Sequence, residues 1–272
     1  MIPASFDYLR ASSADEAVSL LHEHGDEAKL LAGGHSLLPL MKLRLATPAV
    51  VIDVGRIREL AHVRDGGDHV SIGALTRHRD VETSDVLRRE VPILAHVAGL
   101  VGDPQVRHRG TMGGSLAHGD PASDLPAVVL ALGGTLVAQG PGGRREIPAS
   151  EFFQGFLETA LAPDEMLVEI RVPKARGGWS YQKFNRRAID WAIVGVAAVR
   201  DGTTGVALVN MGPTPIRASA VEQALSQGAS AADAAALAAE GTAPSADLNA
   251  SVEYRQHLAR VLVRRALQEA GA

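Results

Sequence analysis

The chain has 272 residues, of which 46% are hydrophobic, 21% charged and 4% aromatic. That composition is typical of a globular protein with a substantial core, and it argues against the disordered and membrane-embedded classes. The net charge of −4 is not concentrated in runs of one sign, so the sequence predicts no nucleic-acid partner. Cysteine is absent, which excludes disulfides, thiolate metal sites and cysteine-held iron–sulfur clusters within this chain.

The N-terminal residues 1–7 contain neither a basic segment nor an apolar segment, so they are not typical of a signal peptide. No apolar run approaches the roughly 18 residues that a membrane-spanning helix requires. We therefore expect a cytoplasmic protein without a transmembrane segment.

Hydrophobic patterns along the chain predict alternating helices and strands. Ser13 and Glu16 have the spacing of a capping box and open a helix that Gly25 ends. The alternation favours layered α/β or α+β architecture over a sandwich or a bundle. The predicted elements are a helix at 13–24, strands at 29–32, 50–54 and 69–73, helices at 81–89, 93–101 and 125–132, strands at 134–138, 166–172, 180–184, 192–200 and 205–210, and a C-terminal helix at 252–269.

Two glycine-rich segments stand out from ordinary turns. The first is Ala-Gly-Gly-His-Ser-Leu-Leu-Pro at 32–39, and the second runs from Gly110 to Asp124. Paired glycines permit positive φ and leave room for successive N–H groups to converge on an anion, with nearby serine and threonine hydroxyls as further donors. An ordinary turn remains the alternative for each segment. Neither GxGxxG nor GxxxxGK[ST] occurs, so the pattern leaves turns or a diphosphate site of non-Rossmann type.

At these residues the sequence resembles the FAD-binding medium subunit of the carbon monoxide dehydrogenase and xanthine dehydrogenase (molybdenum hydroxylase) family. The segment at 32–39 looks like the first FAD loop of that family. The run GDPQVRHRGTMGGSLAHGDPASDLP at 102–126 looks like the second, and SIGALT at 71–76 also fits. The resemblance covers nearly the whole chain and weakens after about residue 215.

The resemblance implies an α+β fold with a vanillyl-alcohol-oxidase (PCMH)-type FAD-binding domain of two α/β subdomains and a C-terminal α+β domain. A change of composition near Pro173–Gly178 predicts the boundary. The expected division is a FAD-binding domain at 1–175, with subdomains at about 1–55 and 56–175, and a C-terminal domain at 176–272.

The family's function follows from the same resemblance. In the relatives a molybdopterin-binding large subunit oxidises the substrate, and a small subunit carries [2Fe–2S] clusters. Electrons then pass through FAD to an external acceptor. The resemblance implies that this chain is the electron-transferring FAD subunit of such a complex, assembled as a dimer of heterotrimers in the same way.

Every cofactor contact implied by the resemblance is noncovalent, although His35 follows a glycine pair as in some flavoproteins that attach FAD through histidine. Alternatives exist for three residues: Asp124 as a helix N-cap, Lys183 as a solvated strand charge and Trp191 as a core residue. Trp191 stands where relatives have a tyrosine beside the flavin ring. The implied contacts are Ala32, Gly33, Gly34, His35, Ser36, Leu37, Val101, Thr111, Gly113, Gly114, Ser115, Asp124, Leu167, Lys183 and Trp191, with no catalytic residue and no metal ligand.

Two other functions remain compatible with the sequence. One is a self-sufficient FAD-dependent oxidase or dehydrogenase with its own organic substrate. The other is a nucleotide-binding scaffold without redox activity. The sequence does not identify the substrate of a complex or its electron acceptor.

Overall fold

The first part of the chain folds into a small parallel sheet. In the computed structural model, which describes residues 2–271, the strand order is β1-β3-β2. Ser13 caps the first helix as predicted, because its hydroxyl accepts the Glu16 N–H at 3.1 Å. The Glu16 carboxylate accepts the N–H of Ser12 at 2.7 Å, one residue before the N–H that completes a standard capping box. The elements are β1 (Asp7–Arg10), α1 (Ala14–His24), β2 (Ala28–Leu31), α2 (Leu37–Lys42) and β3 (Val50–Asp53).

The middle of the chain forms an antiparallel five-stranded sheet with helices inserted between its strands. Its order is β4-β5-β10-β6-β7, so β10 pairs with strands that precede it by many residues. A two-stranded hairpin, β8 with β9, lies beside it. The strands are β4 (Val63–Asp65), β5 (His69–Gly73), β6 (Thr135–Gly140), β7 (Gly143–Pro148), β8 (Phe153–Gly155), β9 (Glu158–Thr159) and β10 (Met166–Pro173).

The helices of this middle part are short. The helix predicted at 81–89 is broken, because Ser84 adopts an extended conformation and its hydroxyl caps the next helix at the Leu87 N–H, 3.3 Å away. The helix predicted at 93–101 ends at Ala98. The helices are α3 (His78–Thr83), α4 (Asp85–Glu90), α5 (Pro92–Ala98), α6 (Pro104–Arg109), α7 (Met112–His118), α8 (Asp124–Ala131) and α9 (Ala149–Phe152).

The last part of the chain is an antiparallel meander covered by helices. The sheet order β11-β12-β13-β14 follows the sequence, so each strand pairs with the next one along the chain. Helix α12 matches the predicted range of 252–269. The elements are β11 (Gly178–Phe184), β12 (Val194–Asp201), β13 (Thr203–Val209), β14 (Ile216–Arg217), α10 (Ser219–Ser226), α11 (Ala231–Ala236) and α12 (Val252–Glu269).

The C-terminal sheet has apolar residues on both faces. One face, including Val196 and Leu208, packs on α12 in a core of its own. The other face, including Ala197 and Val209, joins the large core that contains α8 and the five-stranded sheet. This second contact places β11 beside the start of α8. Among residues 2–271, no helix combines the length and apolar character that crossing a membrane requires.

Candidate functional site

A cavity of about 760 Å³ brings together residues from all three parts of the fold. Its volume lies within the range of ligand and cofactor sites, about 300–1,000 Å³. All fifteen residues that the sequence assigned to cofactor binding line this cavity. They are Ala32, Gly33, Gly34, His35, Ser36 and Leu37 after β2, Thr111, Gly113, Gly114 and Ser115 at α7, and Val101, Asp124, Leu167, Lys183 and Trp191 elsewhere.

The first glycine segment leaves a run of backbone donors free. It connects β2 to α2, and Gly34 has a φ of +79°, which glycine adopts without strain. The carbonyl oxygens of Gly34 and Ser36 accept the N–H groups of Leu38 and Leu40 at 3.2 Å, so the segment winds into α2. Within residues 2–271, the five N–H groups of residues 33–37 donate to no protein acceptor. Successive free N–H groups are a common way of binding an anion.

The second glycine segment is the first turn of a helix, which corrects the expectation of a loop. Thr111 caps α7, and its hydroxyl accepts the Gly114 N–H at 3.1 Å. The Gly113 N–H donates to the Ala74 carbonyl at 2.8 Å, and the Ser115 N–H donates to the Thr111 carbonyl at 3.1 Å. Because the helix cap, the helix and the contact with Ala74 have already used these donors, this segment offers the cavity the Ser115 hydroxyl and the bare surface of Gly114.

Glycine is required where these segments pack closely. A side chain on Gly33 would overlap the carbonyl oxygen of Arg109 and would lie 2.9 Å from the Gly110 Cα. A Cβ on Gly113 would lie 2.5 Å from the Cβ of Ala74 and 2.7 Å from its carbonyl oxygen. These contacts fix the two glycine segments against each other and against the strand β5 region.

A buried ion pair forms the wall of the cavity next to the C-terminal sheet. Asp124 is 6% exposed. One of its oxygens accepts the Tyr181 hydroxyl at 2.5 Å and the other accepts the Lys183 ammonium at 2.8 Å. The ammonium also donates to the Leu100 carbonyl at 3.2 Å. Burial raises the pKa of Asp124, and the charge of Lys183 opposes that rise.

Three alternative roles considered from the sequence are wrong in this structure. The N-cap of α8 is Ser123, and Asp124 instead holds partners from β11. Lys183 is not a solvated charge, since its side chain is 9% exposed and ion-paired. Trp191 is not a core residue, because it is 60% exposed in the segment between β11 and β12.

Apolar side chains surround the open side of the cavity. Trp191 and Ile189 are each 60% exposed and line it. Leu157, at the turn between β8 and β9, also lines the cavity. Its φ is +58°, a backbone conformation that residues other than glycine adopt at a cost of about 1–2 kcal/mol. Leu167 on β10 lies deeper, at 4% exposed. The rim thus suits a flat apolar ring better than a charged group.

The chain is similar to known proteins over nearly its whole length. Residues 4–175 match the family model of the FAD-binding domain in molybdopterin dehydrogenase, and residues 179–270 match that of the CO dehydrogenase flavoprotein C-terminal domain. The chain belongs to the FAD-binding subunits of molybdenum hydroxylases. It is 44% identical to the carbon monoxide dehydrogenase medium chain of Hydrogenophaga pseudoflava, covering 100% of this chain and 99% of the relative.

Two further similarities agree with this membership. The chain is 37% identical to the alpha subunit of the 6-hydroxypseudooxynicotine dehydrogenase complex of Paenarthrobacter nicotinovorans, covering 99% of this chain and 96% of the relative. It superposes with a TM-score of 0.96 and 46% identity on carbon monoxide dehydrogenase from Hydrogenophaga pseudoflava lacking the Mo-pyranopterin moiety, covering 99% of this chain and 98% of the other. The predicted family, PCMH-type α+β fold and role as the FAD subunit of an oxidoreductase are therefore confirmed.

The cavity of this FAD subunit fits the cofactor chemically. A diphosphate needs several donors close together, and the free N–H groups of residues 33–37 supply them. The Ser115 hydroxyl and the bare Gly114 surface face the same cavity. A flavin ring needs an apolar environment with few polar contacts, and Trp191 at the rim together with Leu167 deeper in the cavity provides it.

Sequence reasoning missed two residues of this site. Tyr181 was detectable, because it lies two residues before Lys183 on β11 and therefore shares its face of the strand. His78 lines the cavity and is 4% exposed, yet it belongs to no glycine motif. Its burial depends on the packing of α3 beneath Gly110, which only the tertiary structure reveals.

We expect His78 to make the FAD-free protein sensitive to acid. Burial, with nearby basic groups, lowers the pKa of His78 from 6.5 to about 4. The unfolded chain therefore binds more protons than the folded chain between these values, so stability is lost as the pH falls from 6.5 to 4. The loss from this group is about 3 kcal/mol. Urea unfolding at pH 6.5 and at pH 4 measures this loss of unfolding free energy. In His78→Phe the loss between the two pH values should be smaller by about 3 kcal/mol. An equal loss in the wild type and the variant contradicts the assignment.

Proposed function

We propose that this chain binds FAD noncovalently in the cavity described above and relays electrons within a molybdenum hydroxylase. The observation that carries the proposal is the run of five free N–H groups at residues 33–37, in a cavity that also collects every other predicted contact. The fifteen predicted residues are the proposed binding site. His35 is exposed and lines the cavity, and the proposal assigns it a noncovalent contact.

Each group of residues has a distinct task in this proposal. The segment from Ala32 to Leu37 holds the diphosphate, with the Ser115 hydroxyl as a further donor. Asp124 keeps a lone pair free on each oxygen after bonding Tyr181 and Lys183, so it can accept a hydroxyl of the cofactor. Leu167, Val101 and Trp191 enclose the ring and limit its contact with water.

The redox chemistry belongs to the cofactor. When bound, FAD exchanges electrons between carriers such as [2Fe–2S] clusters and an external acceptor. The side chains of this chain bind and orient the cofactor, and none of them is assigned an acid–base step. The relatives named above carry out oxidations of different compounds, so we assign the choice of substrate to a partner subunit.

Membership of the family supports a proposal for the assembly. We propose a molybdopterin-binding large subunit and a [2Fe–2S] small subunit as partners, arranged as a dimer of heterotrimers in the cytoplasm. We also propose residues 1–175 as the FAD-binding domain, with subdomains at about 1–55 and 56–175, and residues 176–272 as the C-terminal domain. The separate sheets on either side of residue 175 support this division.

The proposal is tested with the visible absorption spectrum of the purified chain, repeated on the supernatant after denaturation. Flavin bands that leave with the supernatant and identify as FAD are the expected result. Bands that stay on the polypeptide contradict noncovalent binding and point to His35. A colourless protein that takes up no FAD on incubation refutes the assignment of the cavity.

A further inference from the structure

His78 has two ring nitrogens without a partner. Its Nδ1 is sealed from solvent and makes no hydrogen bond, and its Nε2 also makes none within residues 2–271. Buried polar groups in folded proteins are nearly always hydrogen-bonded, so an unsatisfied one requires an explanation. The residue is 4% exposed and lines the cavity, so the accessible part of the ring faces the cavity.

The position of the ring is fixed by its neighbours. The His78 N–H donates to the Gly110 carbonyl at 3.0 Å. A Cβ on Gly110 would lie 2.7 Å from the ring Cδ2 and 2.9 Å from Nε2, so the ring occupies space that only glycine leaves open. Gly110 in turn lies against Gly33 of the first glycine segment. The ring edge that carries Nε2 is therefore next to the junction of the two glycine segments.

His78 lies in basic surroundings. The groups that act on it electrostatically are His35, Arg107 and Arg77, all of them basic. The same region contains the free N–H groups of residues 33–37. Arg107 already pairs with the Glu82 carboxylate at 3.1 Å, and Arg77 donates to the Arg109 carbonyl. In the described part of the chain, the backbone donors that remain free in this region are therefore the N–H groups of residues 33–37.

The protonation state follows from burial. The ring is neutral near pH 7, because its pKa is lowered to about 4. A neutral imidazole carries one N–H proton, on either Nδ1 or Nε2. A buried N–H without an acceptor is rarer in proteins than a buried acceptor without a donor. The proton is therefore on Nε2, where it can be donated into the cavity.

We propose that His78 is a cofactor-binding residue whose Nε2–H donates a hydrogen bond to a diphosphate oxygen. The inference rests on the proposed function, since the diphosphate is that of FAD. It adds a side-chain donor next to the junction of the glycine segments.

The test measures FAD affinity of the FAD-free chain by flavin fluorescence titration at pH 7. A hydrogen bond to a charged oxygen predicts that His78→Phe weakens FAD binding about 10- to 100-fold. In His78→Gln a side-chain N–H can reach the place of Nε2–H, so affinity should return to within about threefold of the wild type. Urea unfolding at the same pH identifies any general loss of stability.

The outcomes separate the two proposals. A wild-type chain that does not bind FAD refutes the proposed function itself. If the wild type binds FAD and His78→Phe binds it equally well, only the role of His78 is refuted. That role is also refuted if His78→Phe and His78→Gln lose FAD affinity to the same extent. If His78→Phe does not fold, ¹⁵N NMR of the wild-type imidazole decides: Nε2 must carry the proton and its resonance must shift on addition of ADP. A proton on Nδ1 or an unmoved Nε2 resonance overturns the inference.

Discussion

Replacing Gly114 by valine is expected to lower FAD affinity by about 100-fold or more while leaving the fold intact. Gly114 is exposed and lines the cavity, and outside its own helix no backbone atom lies within 4 Å of the position of its Cβ. The neighbour that must move is the Thr111 hydroxyl, at 2.6 Å. A weakened helix cap costs about 1 kcal/mol, so the folded state survives and the new side chain occupies the cavity.

The choice of glycine matters for this experiment. A side chain on Gly113 would collide with the backbone of Ala74, so loss of FAD from a Gly113 variant would report misfolding. Gly142 provides the matched control, because it is exposed, has free space around it and lies in the turn between β6 and β7. Gly142→Val should bind FAD like the wild type. Full FAD retention in Gly114→Val would show that the start of α7 does not border the cofactor.

The second large effect is expected at the buried ion pair. Asp124→Ala removes the acceptor of the Tyr181 hydroxyl and leaves the Lys183 ammonium, 9% exposed, with the Leu100 carbonyl alone. Stranding a buried charge in this way lowers the free energy of unfolding by about 3–5 kcal/mol. Urea denaturation of the FAD-free protein measures the loss, and apparent FAD affinity should fall with it.

Two further variants identify the cause. In Asp124→Leu combined with Lys183→Met both charges are gone, so much of the lost stability should return although the cavity is altered. Arg79→Ala breaks an ion pair with Glu82 whose arginine is 56% exposed, and we expect a change within about 1 kcal/mol. A double variant as unstable as Asp124→Ala would show that lost packing, and not the stranded ammonium, dominates.

Local patterns predicted much of the architecture correctly. The capping box at Ser13 and the β-branched run at Val50 each carry a complete signal within a few residues, and both elements form where expected. The amphipathic helix at 252–269 has the predicted bounds because its apolar period extends over five turns. Elements without such a signal were missed: β1 and β8 have three or four residues, too few to show a period.

The candidate site divides in the same way. Each glycine pair is followed within two residues by a serine, Ser36 in the first segment and Ser115 in the second. This local pattern alone marked two segments that the structure brings to one cavity. The sequence did not reveal that the second segment starts a helix and has used its own N–H groups, because that depends on Thr111 as a cap and on Ala74 packed against Gly113.

By itself the sequence determined the family, the two glycine segments and fifteen of the residues that line the cavity. Only the tertiary structure decided which donors remain free, which charges are paired and which nitrogen of His78 faces the cavity. The physical reason is that hydrogen bonding and burial are set by contacts between residues far apart in the chain, such as Asp124 with Tyr181 and His78 with Gly110. Side-chain periodicity and short motifs carry no information about such pairs.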